Sequence, residues 1–164
     1  LVLDGHSDEA EDEAEKALGG KDGVASTITA NVRRVINRKK DSNPEEYRKF
    51  SERINRLLEE YRQGVLEYKD YLTAVAELAR ELRNRTTDPR LDSPAKQAFF
   101  DNLNNDVDFA LEVYALVKTE AKIGFKTNLK KQGKLRRALE TLAAKHEFNV
   151  DTIFNIIMNQ PEFA

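Results

Sequence analysis

The sequence predicts an all-α protein, an irregular bundle of about seven or eight helices. Three observations lead there. Apolar residues recur at spacings of three and four along most of the chain, and no segment sustains the alternation of a strand. Ala, Glu, Lys, Leu and Arg are abundant, while the 164 residues include only 7 Gly, 4 Pro and no Trp. Cap residues stand where the periodic segments begin: Asn43-Pro44, Ser93-Pro94 and Asp106. A chain of this length is one domain's worth and buries about 70% of its unfolded surface.

The elements follow in order. Leu1-Val2-Leu3 is a short apolar run before Asp4-Gly5. Ser7 to Leu18 is acidic and rich in Ala, which suits a solvated helix or a disordered arm. Gly19-Gly20 and Gly23 break it. Asp22 is a candidate N-cap for a helix to Lys40, with Val24, Ile28, Val32, Val35 and Ile36 as its apolar stripe and a basic last turn that suits the helix dipole. Asn43 is the expected cap of the next helix, Pro44 its first residue, and Glu46 stands three residues after the cap. That helix carries Tyr47, Phe50, Ile54, Leu57, Leu58 and Tyr61 on one side and runs to about Arg62, before Gly64. A helix over 67–84 shows Tyr68, Leu72, Val75, Ala79 and Leu82. The short link predicts an antiparallel pair.

Thr86 to Ser93 reads as a loop. Ser93-Pro94 starts a helix through Phe99, Phe100 and Leu103. Asp106 caps another whose apolar side is Val107, Leu111, Tyr114, Val117 and Ile123, before Gly124. A basic helix is expected near 127–146, and Asn149 or Asp151 starts the last one. The predicted core includes Phe50, Ile54, Leu57, Leu72, Val75, Leu111, Leu135, Leu139 and Ile156. The organisation expected is an acidic arm over 1–22 and a single helical domain over 23–164. The only Met is Met158, so a piece of a larger protein is expected.

The net charge of −2 conceals segregation. Residues 1–22 hold eight acids against Lys16 and Lys21, residues 33–40 five bases and no acid, and residues 118–145 nine bases against Glu120 and Glu140. No run approaches the roughly 18 apolar residues of a membrane span, so no membrane partner is expected. No secretory signal opens the chain. The absence of Cys excludes disulfides and thiolate metal sites and fits a cytoplasmic location.

Candidate chemistry is sparse. Gly19-Gly20-Lys21-Asp22 lacks the upstream Gly, the preceding strand and the hydroxyl residue of a phosphate loop, and reads as a helix break. His6 and His146 have no second ligand at metal spacing. Most Glu residues stand three or four from an Arg or Lys, as Glu52 does from Arg56, which describes a solvated face. The tyrosines are read as core residues with their hydroxyls at the edge. The basic segment is more informative. Lys118, Lys122 and Lys126 line one helix face up to Gly124, and Lys130, Lys131, Lys134, Arg136 and Arg137 surround the next helix. A solvated surface or a contact with an acidic protein is one reading. A nucleotide or DNA-phosphate site is the other, since phosphate binding needs several cations on one surface.

The last forty residues carry a resemblance. Phe125 and Asn128 precede the basic helix with Lys134 and Arg137, and a short apolar helix ends in Asn159-Gln160-x-Glu162-Phe163. With the helical pair from Tyr47 to Leu82, this resembles the C-terminal region of the R subunit of type I restriction enzymes, across residues 45–163. The family more often has Trp at the Phe125 position and Tyr at the Phe163 position. The resemblance implies a module that docks an ATP-dependent DNA translocase and endonuclease onto its methyltransferase and specificity subunits, with possible non-specific DNA contact. The helicase and nuclease motifs of that family lie upstream, so ATP and Mg are implied for the parent hydrolase alone and no cofactor or metal for this chain. Together with the basic segment, which adds Lys130 and Arg136, it suggests Phe125, Asn128, Lys134, Arg137, Asn159, Gln160 and Phe163 as residues for partner or phosphate binding. The final helix, with Ile153, Phe154, Ile156, Ile157 and Met158 apolar on more than one side, is expected to expose an assembly surface. The alternative is that this helix is buried on both sides.

Overall fold

The structure, a computed structural model, describes residues 20–85 and 88–163. Among them it is all-helical: α1 (Lys21–Asn37), α2 (Pro44–Arg62), α3 (Tyr68–Arg83), α4 (Pro94–Asn102), α5 (Val107–Glu120), a single 3-10 turn (Phe125–Thr127), α6 (Leu129–Ala143) and α7 (Val150–Met158). The acidic arm expected over 1–22 lies outside the described residues except for its last three. There Asp22 is not the cap: Gly20, at φ 90°, precedes the helix, and Asp22 sits in the first turn, its carboxylate accepting the Tyr61 hydroxyl at 2.7 Å. α1 also ends at Asn37 instead of Lys40, because residues 38–42 form turns and the Asn43 N–H donates to the Lys39 carbonyl.

The described helices group into two compact units. The first holds the described residues 20–38 and Tyr47–Arg85. Its core is Val24, Ala25, Ile28, Val32 and Ile36 of α1, Phe50, Ile54 and Leu58 of α2, and Tyr71, Leu72, Val75 and Leu78 of α3. The backbones of α1 and α3 approach closely. Ala25 and Thr29 are small enough to permit it, and the Thr29 hydroxyl bonds that of Tyr71. α2 and α3 lie in antiparallel register, with Tyr61 stacked on Tyr71 at 4.8 Å near the turn and Arg53 paired to Glu81 farther along. The turn between them is a Schellman stop. Gly64, at φ 73°, donates to the Tyr61 carbonyl and Val65 to that of Glu60.

The second unit holds Lys39–Glu46 and the described residues 88–163. Its core draws Ala95, Ala98 and Phe99 from α4, Ala110, Val113 and Val117 from α5, Leu135, Leu139 and Leu142 from α6, Ile153, Ile156 and Ile157 from α7, and Phe125 and Phe163 from outside the α-helices. The alanines facing each other let α4 and α5 approach closely. Each α-helix wholly within this unit has a side-chain N-cap: Ser93, Asp106, Asn128 and Asn149 accept from Lys96, Phe109, Lys131 and Thr152 respectively. Asn43 caps α2 with its amide oxygen on the Glu46 N–H at 3.3 Å. Its amide nitrogen donates to Glu46 and Asp101, and its amide oxygen also accepts from Asn102, so one buried Asn knits residues 43–46 to α4.

Of the predicted core, Phe50, Ile54, Leu72, Val75, Leu135, Leu139 and Ile156 are buried, while Leu57 and Leu111 are half-buried against the same clusters.

Candidate interaction surface

The C-terminal ending folds inward. Asn159 caps α7, its amide donating to the Asn155 carbonyl at 2.8 Å. Gln160 is 2% exposed. Its amide donates to the Ser42 carbonyl at 2.8 Å and its own carbonyl accepts Lys126 Nζ at 2.8 Å. Glu162 uses both oxygens: one accepts the Ala95 N–H in the first turn of α4 and the other the Tyr114 hydroxyl, each at 3.0 Å. Phe163, 3% exposed, lies 6.2 Å from the Phe99 ring and 5.9 Å from that of Tyr114. Burial, and then the bond to Glu162, push the Tyr114 phenol up from its usual range. Gln160 and Phe163 therefore hold the unit together from inside, and of the suggested residues in the ending only Asn159 is exposed.

The apolar face of α7 is likewise internal. Ile153, Ile156 and Ile157 are buried, and Phe154 and Met158 are packed against the same cluster, so the expected exposed assembly surface on this helix is corrected. Nine residues give about two and a half turns, and the helix is contacted by both α4 and α6, which cover more than one side.

Phe125 is wholly buried, at the start of the 3-10 turn that follows Gly124 at φ 75°. Asn128 closes that turn by capping α6, and Gln132 donates to the carbonyls of Phe125 and Lys126. Arg136 pairs with Asp151 of α7 at 2.5 Å and lies 4.4 Å over the Phe154 ring. These residues shape the chain around α6, and their charged or aromatic groups are committed to it.

What stays accessible is the outer face of α6. Lys130, Lys134 and Arg137 are exposed and fall in one narrow arc at i, i+4 and i+7. Leu135, Leu139 and Leu142 occupy the opposite side and are buried. The line of Lys118, Lys122 and Lys126 on one helix face does not form. α5 stops at Glu120, Lys122 enters a turn, and Lys126 turns to Gln160. The early stop also strands Ile123, expected on the apolar side of α5, at 87% exposure; Leu129, the first residue of α6, is 83% exposed. Sequence reasoning missed both as surface residues. The signal for Ile123 was Gly124 directly after it; for Leu129 it was a position off the Leu135–Leu139 stripe.

A cleft of about 650 Å³ opens near the N-terminal ends of α5 and α7. Asp106, Asp108, Glu112 and Glu147 surround it, and His146 lies 4.5 Å from the Phe109 ring on its wall. Asp108 pairs with Arg90 at 3.1 Å. Among the described residues no three His, Asp or Glu side chains are grouped to hold a metal ion, and no helix is long and apolar enough to cross a membrane. No protein-family model, curated protein or solved structure matches the chain.

Proposed function

We propose that this chain is the C-terminal helical assembly module of the R subunit of a type I restriction enzyme, acting in the cytoplasm. In this reading it docks an ATP-dependent DNA translocase and endonuclease onto a methyltransferase core. The observation that carries the reading is the ending Asn159-Gln160-Pro161-Glu162-Phe163, in register with Phe125, Asn128, Lys134 and Arg137. The contacts of these residues supply a physical reason for the pattern. The aromatic at 125 fills the core, the Asn at 128 caps α6, and Gln160, Glu162 and Phe163 close the unit. An assembly role is further supported by the exposed Leu129 at the start of α6 and the exposed cations Lys130, Lys134 and Arg137 along it. ATP and Mg belong to the upstream parts of the parent, as does the chemistry.

The test is co-purification. A parent subunit lacking residues 20–163 is expected to lose the methyltransferase core while still hydrolysing ATP, and the immobilised 164-residue chain to retain the core. A truncated parent that assembles normally would overturn the proposal. A second reading, phosphate binding by Lys130, Lys134 and Arg137, is favoured by their shared exposed arc. It requires duplex affinity that falls steeply with salt and shows little sequence preference.

A further inference from the structure

We infer that the turn at 122–124 and the outer face of α6 form a docking surface for an acidic protein segment that also carries aliphatic side chains. The inference deepens the assembly reading, on which it relies only for the natural partner's name. Two observations meet at this surface. Ile123 and Leu129 are two of the four exposed large hydrophobic residues among those described, at 87% and 83% exposure. Leu129 shares about 140° of the α6 circumference with the exposed cations Lys130, Lys134 and Arg137; Lys122, also exposed, adjoins Ile123 in the chain, and Glu140 is the one exposed acid on α6.

The aliphatic groups are presented on a fixed frame. Lys131 reaches back from α6 and donates to the Ile123 carbonyl at 2.6 Å. Gln132 ties the carbonyls of Phe125 and Lys126, and Asn128 caps the helix that begins at Leu129. A loop so held loses little further freedom when a partner covers it. One turn after Leu129 stands Gly133, where an added Cβ would meet nothing within 4 Å. The glycine therefore leaves the helix surface between Leu129 and Arg137 without a side chain, open to close approach.

The mixture selects the partner. A phosphate backbone gains from the cations and nothing from Ile123 and Leu129, and the one aromatic between residues 122 and 137, Phe125, is wholly buried and cannot stack on a base. An acidic segment with Leu- or Ile-like side chains uses both. The carboxylates steer encounter and set register, and burial of the aliphatic groups slows release. Each such side chain, fully covered, is worth on the order of tenfold or more in affinity.

The experiment uses the whole chain and two variants, Ile123→Ser with Leu129→Ser, and Lys130→Glu with Lys134→Glu and Arg137→Glu. All these side chains are exposed, and unchanged thermal melting verifies that both variants fold. Three probes are titrated: a labelled synthetic helical peptide with one Glu stripe and one Leu stripe, the same peptide with Ser for Leu, and a short DNA duplex. The purified methyltransferase core is a fourth arm. The Glu–Leu peptide should bind at least tenfold tighter than its Ser counterpart. Each variant should weaken it at least tenfold, the charge variant most at low salt. Equal affinity for the two peptides, or duplex binding tighter than peptide binding and unaffected by the Ser variant, would overturn the inference. A core retained equally by wild type and both variants would overturn it and leave the assembly reading standing. A peptide contrast that holds while wild type fails to retain the core would overturn the assembly reading alone.

Discussion

Glu162 stands one residue before Phe163 and joins two helices with two oxygens. One accepts the Ala95 N–H where the positive end of the α4 dipole favours an anion, and the other accepts the Tyr114 hydroxyl. Tyr114→Phe should therefore cost about 1–2 kcal/mol in urea denaturation, because a half-buried carboxylate loses a donor. The same pair has a pH signature. The Tyr114 phenol is raised from 10.0, so the folded state holds its proton more tightly than the unfolded chain does. Its contribution is complete below pH 10.0 and fades as pH rises through the folded value, and the Phe variant should lose less stability than wild type over that range. Tyr71, raised by burial, gives the first unit a similar alkaline loss. At the acid end, hydrogen bonds from Arg90 hold the Asp88 carboxyl down to about 2 from 3.8. Its contribution is full above 3.8 and is lost as pH falls through about 2. In Arg90→Gln, the Asp88 carboxyl resonance should titrate closer to 3.8, and an unchanged midpoint would show that Arg90 is not the cause. At this scale the sequence conceals most. Gln160 reads as a polar residue free to meet a partner, yet its bond to Ser42 spans 118 positions of chain. No local pattern encodes such a contact.

Helix starts are the most legible elements, for a physical reason. An N-cap is settled within three residues: Asn43, Ser93 and Asp106 were expected at helix starts and Asn149 was one of two candidates, and these and Asn128 each accept from the backbone N–H three positions on. Helix ends depend on what competes for the last carbonyls. α5 was expected to carry Ile123, but Ala121 and Lys122 turn back onto Val117 and Glu120, and the chain leaves the helix. α6 offers two paired predictions. Asn128→Ala should cost about 1 kcal/mol by removing the cap. Gly133→Ala should raise stability by about 1 kcal/mol, since the glycine is helical, its φ is not positive, and open space awaits the methyl group. Thermal melts followed at the helical dichroism band measure both. A destabilised Gly133→Ala protein would mean that the space above the helix is not open in solution.

Helical character across the whole molecule was written in the period of its apolar residues. The grouping of those residues was not. Periodicity identifies which side of a helix is buried, but Leu72 and Leu139 look alike in sequence although they belong to different clusters. Partners are chosen by side-chain volume and by distant polar contacts. In the first unit Thr29 meets Tyr71 and lets α1 approach α3; in the second Asn43 meets Asp101 and Asn102. This grouping predicts where damage spreads. Ile54→Ala and Leu139→Ala each remove three side-chain carbons from sites at most 1% exposed, and each should cost about 2–5 kcal/mol through lost burial and the cavity left behind. In hydrogen exchange, Ile54→Ala should strip protection from α1, α2 and α3, whose side chains share its cluster. Leu139→Ala should do so in α4, α5, α6 and α7. Protection lost first in the helices of the other cluster would contradict the grouping, because a cavity acts on the atoms that line it before it acts on any others.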